Sequence, residues 1–180
     1  MRNRITHTLT LAILAVLLLA SPVLAAQRPA ELDGIVKSSA PYGQGSLSRF
    51  LFHVYDAEVW TDAEHWSYEA PFALMVTYAM SFSAQELVES TLKEARHVAE
   101  LSADEEKRFD GYLTRAYHEV KSGDRIGALY TPPDKVSFYL NGKKAAIVED
   151  KAFSRAFFDI WLSEKTSEPS LRAGLLGLHS

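Results

Sequence analysis

The chain of 180 residues has no cysteine at all. That absence removes thiol nucleophiles, iron–sulfur clusters, thiolate zinc sites and a lipidated cysteine anchor, and it leaves packing alone to hold the fold. A basic excess is also missing: 19 Lys and Arg stand against 23 Asp and Glu, for a formal net charge of −4. Phosphate-binding surfaces need a surplus of cations, so the balance argues against nucleic acid and disfavours adhesion to anionic lipid. No Gly-x-Ser-x-Gly elbow is present, which makes a serine hydrolase of that type a poor fit. Internal repeats, low-complexity tracts and linkers are absent as well.

Long hydrophobic runs are scarce, with one exception over residues 9–20. Arg2 and Arg4 precede that run and Val23-Leu24-Ala25 follows it, the pattern of a basic region, an apolar core and a cleavage site. The apolar core falls short of the ~20 residues of a membrane span. The expectation is a signal peptide over 1–25 and a single domain over 26–180, periplasmic or secreted, with no stable membrane span after cleavage. An uncleaved N-terminal anchor is the alternative. Cleavage removes Arg2 and Arg4 and leaves the rest more acidic. The remainder is long enough to bury one real core.

What is present is a dense run of structure signals over residues 121–166. Residues 125–130 and 136–140 alternate as strands, separated by Thr131-Pro132-Pro133-Asp134. Asn141-Gly142 is the strongest short hairpin signal, since both residues tolerate positive φ. After a third strand over 145–148 the period becomes helical, with Phe153, Ala156, Phe157, Ile160 and Trp161 on one stripe. Upstream, 31–36 reads as a first strand, 41–45 as a turn, 47–60 as one long strand and 72–80 as another. Ser83-Ala-Gln-Glu86 and Ser102-Ala-Asp-Glu105 are capping boxes opening helices to about 100 and 120. Pro169 starts a last short helix that stops at Gly177. The order predicts an α+β fold, an antiparallel sheet with helices gathered on one face.

Several motifs carry weaker signals. Gly43-Gln-Gly45 lacks the third glycine of a dinucleotide loop and precedes a strand, so it reads as a turn. Glu94 and His97 form a single Glu-x-x-His pair, whereas dimetal sites need two pairs and further carboxylates. The other histidines stand singly, and no metal or cofactor is expected. Asp56/Glu58 and Glu105/Glu106 read as solvated charge near element ends. Arg49, His53 and Tyr55 are more interesting, because polar groups on a two-sided strand need hydrogen-bond partners or a ligand.

The segments Gly43–Ala57, Pro71–Leu74, Ser83–Leu87, Gly123–Arg125, Val136–Lys143, Phe157–Leu162 and Leu171–Gly177 together resemble bacterial chalcone isomerase-like proteins. The resemblance covers nearly all of the chain beyond the leader. It implies an open-faced β-sandwich, with a cleft between a large antiparallel sheet and a layer of helices. Plant members of that superfamily cyclise a chalcone by intramolecular oxa-Michael addition, using an Arg, a Thr, a Tyr and an Asn. Those positions match Leu47, Phe50, Leu87 and Glu94 here, while a late Ser/Thr position matches Ser154 and is kept. Losing the Arg removes the cation that would stabilise a developing oxyanion. Arg49 lies two residues on, about 7 Å away, and substitutes only if a bulge moves it. Polar-to-apolar replacement resembles the other branch of the superfamily, whose plastid members bind fatty acids.

The resulting expectation is an exported, non-catalytic domain that binds a small hydrophobic or fatty-acid-like ligand. Leu47, Phe50 and Leu87 would line the cleft, and Arg49, Tyr55, Glu94 and Ser154 would supply its polar contacts. Two rivals stand beside it. One is an isomerase or lyase using Arg49, Tyr55 and Ser154. The other is an envelope scaffold with a self-filled cleft, docking a partner through faces around Trp60 and Trp66. Oligomeric state is left open.

Overall fold

Alternation over the strands and 3.6-residue stripes over the helices lead to two layers. The computed structural model describes residues 28–178, so the signal segment expected over 1–25 lies outside the described residues. Six strands run in chain order across one antiparallel sheet: β1 (Gly43–Arg49), β2 (Phe52–Thr61), β3 (Phe72–Tyr78), β4 (Arg125–Thr131), β5 (Lys135–Leu140) and β6 (Lys143–Glu149). Four helices cover one face: α1 (Ala84–Val98), α2 (Ala103–Ala116), α3 (Lys151–Leu162) and α4 (Pro169–Leu176). The α+β architecture expected from the element order is what the chain adopts.

Local chemistry sets the element ends. Ser83 and Ser102 each accept a hydrogen bond from the N–H three residues on, and Glu86 and Glu105 each accept one from the serine N–H. Asp150 accepts from the Phe153 N–H at 3.1 Å and starts α3. Asn141 and Gly142, at φ 50° and 78°, turn β5 into β6.

Three expectations fail for identifiable reasons. Residues 31–36 form a 3₁₀ turn over Ala30–Leu32 and an irregular segment instead of a strand. Residues 47–60 are not one strand, because the chain reverses at Phe50 and Leu51 to pair β1 with β2. No Gly, Asn or Pro marks that turn, and Phe50 takes φ 55°, a region bulky residues rarely enter. Gly43 to Gly45 is the start of β1, not a turn. Its glycines let α4 lie on the strand: a Cβ at Gly43 would stand 2.3 Å from the Leu175 carbonyl oxygen, and one at Gly174 would stand 2.5 Å from that of Gln44.

The main core fills the space between sheet and helices. Phe72, Tyr130, Phe138, Phe153, Phe157 and Phe158 form a continuous array of rings, with Phe72 and Phe158 4.7 Å apart. The other sheet face is covered by the N-terminal segment, which packs Leu32 and Val36 on Trp60, Ala73, Met75 and Leu129. Trp60 is therefore buried and Trp66 half-buried against Phe72, so neither presents the docking face the scaffold reading assigned to it.

A buried ion pair pins that N-terminal segment. The Glu31 side chain is 1% exposed and accepts from Arg125 Nη2 at 3.2 and 3.4 Å, while Arg125 is 30% exposed. Removing the cation strands a carboxylate away from water, whereas removing the carboxylate leaves an arginine that can reach solvent. Arg125→Met should cost about 2 kcal/mol, discounted for the arginine's exposure, and Glu31→Gln about 1 kcal/mol or less. Urea midpoints at constant slope would measure both; equal losses would contradict the asymmetry.

Candidate functional site

Where the layers separate, a cleft of ≈ 560 Å³ opens between the β1–β3 end of the sheet and α1, α3 and the start of α4. Its apolar wall is made by Leu47, Val54, Phe82, Leu87, Ile160 and Trp161. A bulge shapes the sheet side. Leu47 pairs with Tyr55 but Ser48 pairs with His53, so Val54 is the extra residue on β2. Both Val54 and Tyr55 reach the cleft as a result, while Leu47 and Arg49, two residues apart on β1, reach it by ordinary alternation.

Its polar groups are mostly tied to one another. Trp161 Nε1 donates to the Tyr55 hydroxyl oxygen at 3.0 Å. Thr91 Oγ1 donates to the Tyr117 hydroxyl at 3.2 Å, and Ser167 Oγ donates to Glu94 Oε2 at 2.8 Å. The half-exposed Arg49 guanidinium donates to Glu168, the residue that precedes α4, and this hydrogen bond holds its pKa above the ordinary arginine value. Burial pushes the Tyr55 phenol up to about 12, against the opposing effect of the Trp161 hydrogen bond. Burial also raises Tyr78 and Tyr117. All three phenols therefore keep their protons near neutrality and serve as hydrogen-bonding groups, not as bases.

The structure brings five of the seven sequence-selected residues to the cleft: Leu47, Arg49, Tyr55, Leu87 and Glu94. Phe50 lies outside, fully exposed at the β1–β2 turn, because that turn carries it away from the sheet. Ser154 lies outside too, fully buried in α3 with its Oγ donating to the Lys151 carbonyl at 3.2 Å. Arg49, Tyr55 and Ser154 are thus not assembled into one constellation, although Arg49, on the same face of β1 as Leu47, does reach the cleft. Tyr78, Phe82, Tyr117, Trp161 and Glu168 were missed as lining residues. Trp161 belongs to the apolar stripe of α3, and only its position at the open end of the layers distinguishes it from core. Among the described residues no cluster of His, Asp and Glu is arranged to hold a metal, and Glu94 and His97 do not form one.

One antiparallel sheet, helices on a single face and an apolar cleft between them define an open-faced α+β sandwich with a ligand-sized gap. The chain belongs to the chalcone isomerase-like family, whose model matches residues 42–177. Among solved structures, a fatty-acid binding protein of Arabidopsis thaliana is similar in fold. Its TM-score is 0.62 at 10% sequence identity, over 79% of this chain and 89% of that one. No curated protein matches the chain. No helix among the described residues is long and apolar enough to cross a membrane.

Proposed function

We propose that this protein is an exported, non-catalytic carrier of a small hydrophobic ligand of the fatty-acid type, held in the cleft between sheet and helices. The observation that carries the reading is the cleft itself. Its ≈ 560 Å³ lies within the ~300–1,000 Å³ usual for small-molecule sites, and it sets an apolar wall of Leu47, Val54, Phe82, Leu87, Ile160 and Trp161 beside charged groups able to meet a polar head. The fatty-acid binding named for the Arabidopsis structure supports the ligand class. The N-terminal pattern supports export to the periplasm.

Arg49 is the group best placed to meet a carboxylate head, and Glu168 competes for it. Glu86, Glu89 and Glu94 add negative charge around the same opening and Lys93 adds a second cation, so the carboxylate gains most by taking Arg49 from Glu168. Native mass spectrometry of delipidated protein with dodecanoate, hexadecanoate and their methyl esters tests this. Arg49→Ala should weaken carboxylate binding about tenfold and leave the esters unchanged, while Glu168→Gln should strengthen carboxylate binding. Failure to detect an adduct with any of the four would overturn the proposal.

A further inference from the structure

The turn between β1 and β2 is an apolar finger. Phe50 is 100% exposed, Leu51 97% and Phe52 65%, and the loop carrying Met80, itself 38% exposed, is bonded beside it through Ala79 N–H to the Val54 carbonyl at 2.9 Å. Nothing in the fold asks for these side chains. Phe50 sits at φ 55°, where Gly or Asn would be far less strained, so an aromatic ring is kept at the tip against its own backbone preference.

The finger is continuous with the cleft: Arg49, just before the tip, and Val54, two residues past Phe52, are both cleft-lining residues. It protrudes and presents no groove, and the arginine at its base is already matched, since Arg49 pairs with Glu168. We infer that the β1–β2 tip inserts into the surface of a lipid bilayer, with Phe50 and Leu51 entering the acyl region and the cleft mouth facing the membrane. The cleft mouth adds Glu86, Glu89, Glu94 and Glu168 to a chain of net charge −4, so the surface gains nothing from anionic lipid and the apolar tip supplies the attraction to a zwitterionic one. Contact of this size gives weak, reversible association. The inference rests on the proposed ligand class only for its purpose, the exchange of an acyl ligand between bilayer and cleft.

Flotation of the full chain with phosphatidylcholine vesicles tests it. The wild type should co-float, and phosphatidylglycerol should not strengthen binding. Phe50→Asn combined with Leu51→Ser should weaken partition about a hundredfold, roughly tenfold per side chain. The Asn relieves the backbone, so the variant should keep the wild-type melting temperature. Because the chain has no cysteine, Leu51→Cys carries a single polarity-sensitive dye, whose emission should shift to the blue on adding vesicles. This readout is blind to any membrane affinity of residues 1–25. A dye that stays in water while the protein floats overturns the proposal. So does a tip variant that floats as well as the wild type, or one whose only change is the loss of a dimer in sedimentation without lipid. Acyl adducts in lipid-free solution report on the cleft separately, so either idea can fail alone.

Discussion

Gly174→Ala should destabilise the fold by about 3 kcal/mol, lowering the melting temperature by roughly 10 °C. The direction is the opposite of what helix propensity alone demands, since alanine within an exposed helix gains about 1 kcal/mol over glycine. The reason is contact between backbones. A methyl group at Gly174 would stand 2.5 Å from the Gln44 carbonyl oxygen, and neither partner is the end of a flexible side chain. Helix α4 must then lift from β1, which moves Ser167 and Glu168 and with them the partners of Glu94 and Arg49. Gly43→Ala should behave alike, because its Cβ meets the Leu175 and Gly174 carbonyls at 2.3 and 2.5 Å. Gly111→Ala supplies the contrast: in α2 its Cβ meets only the end of Arg115 at 3.6 Å, so it should gain about 1 kcal/mol. Thermal melts of the three variants give the answer. An unchanged melting temperature for both Gly43→Ala and Gly174→Ala would mean that α4 does not rest on β1.

That contact also shows where the residues speak for themselves and where they do not. The capping serines, Asn141-Gly142 and the stripe of α3 are local devices, and each could be read from a few adjacent residues. Gly43 and Gly45 could not, because glycine signals a turn and a close approach equally well, and the helix that decides between them lies about 130 residues away. The β1–β2 reversal was hidden for the opposite reason. Its tip is Phe50-Leu51, and the apolar alternation runs through it as though the strand continued. Of the cleft, Leu47, Leu87 and Glu94 were accessible through the family resemblance, and Arg49 and Tyr55 as polar groups on an otherwise apolar strand. Ungapped matching carried Ser154 to a buried position and Phe50 to a turn. Trp161 and Tyr117 were already legible as apolar surface, but whether such a residue is core or wall depends on how far the layers have parted.

The second large effect concerns the half of the molecule that does not part. Phe158 is fully buried, with Phe72 at 4.7 Å, Phe157 at 5.1 Å and Tyr130 at 5.8 Å, and it lines no part of the cleft. Phe158→Ala should cost about 4 kcal/mol, the lost burial of a ring plus the cavity it leaves, and lower the melting temperature by roughly 12 °C. Phe158→Leu, which refills most of that space, should cost far less. The rings between β3–β5 and α3 bind sheet to helix so tightly that the β1–β3 end can stay open without the layers collapsing. Stability and ligand capacity therefore reside in different places. Below its melting temperature Phe158→Ala should bind the same acyl chain as the wild type, whereas Leu47→Trp, at a half-buried position in the cleft wall, should block binding with little change in melting. If Phe158→Ala instead lost the ligand in proportion to its lost stability, the cleft would be a consequence of the whole core's packing and not a separate compartment held open beside it.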